Sequence, residues 1–166
     1  MEEVFAYARG EKNLYCAVKD QKDLKDYIIS TPYENIDLIP SSTLMSAVEY
    51  ELFTKWQREF ILRKGLKGTV EFGRYDYILI DSPPTLGGWV MNVLCASDTL
   101  VIPVGATPWG LFGLDNMFEF LEAVRPIDPE WSPDNNMPIM AYKRSSRSAK
   151  EYGALTKGIE ERTRSR

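Results

Sequence analysis

Between Asp76 and Ser82 the chain carries four consecutive apolar residues, Tyr77-Ile78-Leu79-Ile80, followed by Asp81 and Ser82-Pro83-Pro84. A short apolar run bounded by turn formers reads as a buried strand. A strand that is apolar at every position needs cover on both faces, as in the parallel sheets of α/β proteins. The prolines end it, because proline has no N–H to give to a ladder. A strand over 76–81 therefore carries a carboxylate to its C-terminal end, where open parallel sheets place ligands.

The rest of the chain alternates helix and strand around this run. Residues 14–29 read as a helix, with Leu14, Val18, Leu24, Tyr27 and Ile28 as its apolar face. Ile36-Asp37-Leu38-Ile39 follows as a short strand closed by Pro40. Ser41-Ser42-Thr43 can cap a helix through about Leu52, and Thr54 another that ends near Gly68 as its C-terminal cap. Residues 87–96 form an apolar helix and 99–104 a strand. In 110–125, Leu111, Leu114, Met117, Phe118, Leu121 and Val124 recur at helical spacing, and Pro126 stops the helix. Residues 126–138 hold four prolines and read as a linker or long loop. Residues 139–166 read as a C-terminal basic helix segment, with Ser148 and Glu151 as a capping box. The expected architecture is α/β, a mainly parallel sheet of few strands flanked by helices, within one incomplete domain over 1–166.

Composition narrows the chemistry. There is no histidine in the 166 residues, so no Ser-His or Cys-His nucleophile pair and no His-containing zinc site is available. The two cysteines, Cys16 and Cys95, are far apart and read as buried thiols. No apolar run approaches the roughly 20 residues of a membrane span, and the acidic N-terminus is unlike a signal peptide, so a cytoplasmic protein is expected. Charge is asymmetric. Residues 141–166 hold eight Lys/Arg against three acids, while the other 140 hold 12 against 21. A basic end on an acidic body suits contact with a polyanion, and also suits a merely solvated helix face.

Two readings of Asp81 remain open on local chemistry. In phosphate-loop NTPases a strand-end Asp orients Mg²⁺, which takes hard oxygen ligands in octahedral geometry. Asp-Ser-Pro-Pro equally suits a turn with no ligand. The partner loop of the first reading, G-x-x-x-x-G-K-[ST], does not occur. Arg63-Lys64-Gly65-Leu66-Lys67-Gly68-Thr69 has similar residues in the wrong order, with no strand before it.

The longer stretch YDYILIDSPPTLGGWVMNVLCASDTLVIPV resembles the ParA branch of the ParA/MinD family of partition ATPases, whose pattern there is YDyIlIDxPPSLGxLxxNALxAADxvlIPV. The matching positions include Tyr75, Asp76, Ile80, Asp81, Pro83, Pro84, Leu86, Gly87, Asn92, Leu94, Ala96, Asp98, Ile102, Pro103 and Val104. TPYENIDLIPSS, REFILRKGL, GLFGLDNMFEFLEAVR and MPIMAYKRSSRSAKEYGAL resemble flanking stretches of the same family. The resemblance implies a partial ParA-like fold, a deviant P-loop NTPase in three layers. It implies ATP and Mg²⁺ as family cofactors, with Asp81 orienting the metal and Ser82, Pro83 and Pro84 near the γ-phosphate. It assigns no catalytic residue. It further implies a nucleotide-dependent dimer, either of this chain or mixed with a full-length relative. Non-specific DNA binding would run through Lys143, Arg144, Arg147, Lys150, Lys157 and Arg164, with a centromere-binding, ParB-like partner. The place of action would be cytoplasmic and nucleoid-associated, without a membrane.

The sequence departs from the family in lacking the N-terminal strand, the KGGxGKT loop and the Asp-x-Asp-Pro-Gln switch, as if truncated. A segment between the helix at 110–125 and the tail is also replaced by the proline-rich stretch. Two expectations follow. The chain is a ParA-like ATPase homologue, related to plasmid or chromosome partitioning, that does not hydrolyse ATP by itself. The alternative is a non-enzymatic DNA- or partner-binding regulator of the same descent.

Overall fold

Asn13 opens the first helix, α1 (Leu14–Lys19): its side chain accepts a hydrogen bond from the Cys16 N–H at 3.0 Å, taking up one of the free donors of a helix start. The Leu14 N–H donates to the Pro40 carbonyl at 2.9 Å, which ties the start of α1 to the end of the following hairpin. The computed structural model of the protein describes residues 10–52, 54–71, 73–105, 108–128 and 139–143. The chain divides into two units, Met1–Ala96 and Ser97–Arg166.

The helix expected over 14–29 breaks. Gln21 takes a left-handed φ of 51°, and Asp23 restarts the chain as the cap of a 3₁₀ turn, Leu24–Tyr27. The residues beyond run into β1 (Ile29–Ser30), which pairs antiparallel with β2 (Asp37–Leu38) in the register Ile29↔Leu38 and Ser30↔Asp37. Helix α2 (Met45–Leu52) starts as its serines predict, with Ser42 Oγ accepting from the Leu44 N–H at 3.3 Å. A 3₁₀ turn, Arg58–Phe60, leads into α3 (Ile61–Glu71).

Helix α3 corrects the reading of Gly68 as a cap. The helix runs through it, and a Cβ there would lie 2.6 Å from the Asp23 carboxyl carbon, so the glycine admits a close neighbour. The capping role falls to Gly73, whose φ of +62° is the left-handed conformation that ends helices.

Helix α4 (Gly88–Ala96) buries Trp89, Val90, Asn92, Val93, Leu94 and Cys95, the near-complete burial its apolar sequence predicts. Tyr15 and Val18 of α1, Val48 and Leu52 of α2, Ile61, Leu62 and Leu66 of α3, and Trp89 and Val93 of α4 form one core with Leu24 and Tyr27. At roughly 25 cal/mol per Å² of apolar surface, these side chains dominate the first unit's stability.

In the second unit β3 (Val101–Gly105) pairs in parallel with β4 (Ile139–Lys143), in the register Val101↔Ile139 through Gly105↔Lys143. Helix α5 (Pro108–Val124) packs on β3 and buries Leu121 and Val124 at its C-terminal end. Phe118, expected on the core stripe, is exposed. Residues 139–143, assigned in sequence to a basic helix segment, are strand, and 144–166 lie outside the described residues.

Candidate functional site

The run that most shaped the sequence reading does not become a strand. Among the described residues, Tyr77-Ile78-Leu79-Ile80 has no ladder partner and no hydrogen bond. A strand is defined by its neighbour, and the only described pairings are β1 with β2 and β3 with β4. The consequence is exposure: Tyr77 is 54%, Ile78 41% and Leu79 91% exposed, while Ile80 packs on the core.

This segment and the turn after it form one wall of a groove of about 960 Å³ in the first unit. Leu24, Leu62, Leu66 and Trp89 line its apolar floor. Asp81, Ser82, Pro83 and Pro84 line it too, all four exposed, so the structure brings this predicted set together at one place. At the same groove Tyr75 donates its hydroxyl to Asp37 Oδ2 at 2.6 Å, and the Arg74 guanidinium lies 3.1 Å from that oxygen. The hydrogen bond to the Asp37 carboxylate holds the Tyr75 phenol above its ordinary value of 10.0, helped by burial and by the charge of Asp37, with Arg74 opposing. Thr69 also lines the groove, 5% exposed, and its hydroxyl has no hydrogen-bond partner.

The sequence reading missed Asn92 as a structural pin. Its Nδ2 donates to the Arg58 carbonyl at 2.7 Å and the Gly88 carbonyl at 3.1 Å, and its Oδ1 accepts from the Leu62 N–H at 3.2 Å. An amide in the middle of WVMNVLCA was the available signal, because a polar group so placed must be satisfied where it is buried. Tyr75–Asp37 and Thr69 had no comparable signal, since their environment is made by residues distant in sequence.

Whether Mg²⁺ and ATP suit this groove depends on its donors. Mg²⁺ keeps several waters and takes one or two carboxylates together with substrate phosphates, so the single carboxylate of Asp81 suits the protein's share. The phosphates do not fit. The groove's charged lining consists of Asp37 and Asp81, with no lysine or arginine among the described lining residues. No described cation forms an ion pair with Asp81. Lys143 lies in β4, and Arg144, Arg147, Lys150, Lys157 and Arg164 lie outside the described residues.

Comparison with known proteins places the fold among the α/β P-loop NTPases. The chain is similar to a plasmid partition protein from Borrelia burgdorferi, with TM-score 0.61 and 27% identity, covering 89% of this chain and 61% of that one. It is also similar in fold to cobyrinic acid a,c-diamide synthase from Mycobacterium smegmatis, a structure with bound ADP and magnesium (TM-score 0.66, 20% identity, 89% of this chain and 58% of that one). An AAA domain family, AAA_31, matches residues 4–130. Over 115 residues the chain is 36% identical to the sporulation initiation inhibitor protein Soj of Bacillus subtilis (strain 168), covering 69% of this chain and 45% of that protein. The chain belongs to this AAA domain family and, within it, to the ParA/MinD partition ATPases. It spans about half the length of the curated relatives it matches.

Proposed function

We propose that this chain is a ParA-like module that does not turn over ATP by itself, and that its part in partition is to bind DNA and protein partners. The observation that carries this reading is the groove beside Asp81: it offers a metal-orienting carboxylate and apolar walls, with no cation among the described lining residues to receive a triphosphate. Phosphoryl transfer rests on positioning and charge stabilisation, and both need phosphate ligands that the described residues do not bring. Asp81 is the metal-orienting residue, and Ser82, Pro83 and Pro84 are the turn that would face a nucleotide only where phosphate ligands are supplied from elsewhere.

A turnover assay with ATP and Mg²⁺, with and without DNA, tests this directly. No phosphate release above background is expected from the chain or from Asp81→Ala. Hydrolysis that Asp81→Ala abolishes would overturn the reading.

The binding role is favoured by the charge of the tail, a net +5 over 141–166 on a body of net −9. Non-specific DNA is its partner, reached through Lys143, Arg144, Arg147, Lys150, Lys157 and Arg164. A ParB-like protein and a full-length relative are the protein partners, and the nucleoid is the place of action. Neutralising Lys150, Lys157 and Arg164 together is expected to weaken DNA binding and to reduce the slope of log K against log salt by about 3. An unchanged slope would remove the tail from the interface.

A further inference from the structure

We draw no further inference here: the strongest candidate, the cleft of about 170 Å³ between the end of α1 and the start of α3, lined by Lys22, Lys64 and the exposed Trp56, carries nothing, because its lysines already meet Asp20 and Gln57 and nothing in the structure shows what covers it.

Discussion

Replacing Asn92 by alanine withdraws a side chain that joins α4 to both the 3₁₀ turn at Arg58–Phe60 and the start of α3. The Leu62 N–H is among the first donors of α3, which no residue within the helix can satisfy. Without Asn92 Oδ1 it is left buried and unpaired, and the Arg58 carbonyl loses the amide that now donates to it at 2.7 Å. An unpaired buried group costs about 1–3 kcal/mol, so Asn92→Ala is expected to destabilise by about 1–3 kcal/mol. Asn92→Leu restores the volume but not the hydrogen bonds. A comparable loss in that variant assigns the effect to polar satisfaction rather than packing.

Asn92→Asp sharpens the test through pH. One carboxylate oxygen can still accept from Leu62, but the other would face two carbonyls where the amide now donates. The charged form is disfavoured there, so the new carboxyl's folded-state pKa lies above its unfolded value of about 3.9. A raised acid loses stability as pH climbs. The deficit relative to the parent is small below the unfolded pKa and grows by about 1.4 kcal/mol per pH unit until the group ionises in the fold. Urea unfolding of all four proteins at pH 4.5 and 7.5 measures this. Alanine and leucine variants within about 0.5 kcal/mol of the parent, which is the range of neutral surface changes, would refute the reasoning. So would an Asp variant whose deficit does not change with pH.

Two further outcomes follow from the groove. Thr69→Val removes the unpaired buried hydroxyl at nearly constant shape and is expected to raise stability by about 1–2 kcal/mol, read as a higher urea midpoint at unchanged slope; a lower midpoint would show that the hydroxyl has a partner. Tyr75→Phe is expected to cost about 1 kcal/mol at pH 7 by losing the Asp37 hydrogen bond. Because the Tyr75 phenol is held above 10.0 in the fold, its contribution is full below that pH and vanishes as pH rises through the folded-state value. The gap between parent and Tyr75→Phe should therefore close in alkaline unfolding curves, with Tyr15, which is raised by its bond to Glu51, titrating alike in both proteins. A gap that persists there would contradict the assignment.

Helix α4, helix α5 and strand β3 were legible in the sequence because the information lies inside each run. The 88–96 helix is apolar on nearly every side and is buried on nearly every side. The family was legible too, in the spacing of residues from Tyr75 to Val104. Asp81, Ser82, Pro83 and Pro84 are brought together because they are consecutive, which needs no tertiary information.

What only the tertiary structure decided depends on residues far apart in the chain. Whether Tyr77–Ile80 is a strand depends on a pairing partner, and none of the described ladders includes it. Which glycine ends α3 was settled by Asp23 arriving against Gly68, leaving Gly73 to take the positive φ. The charge around Asp81 was settled last. The lining spans positions from Leu14 to Trp89, and none of the described side chains that meet there is a cation. Local chemistry can give a residue the form of a metal ligand. The electrostatic field that makes it useful is assembled only by folding, because charges act across space and not along the chain.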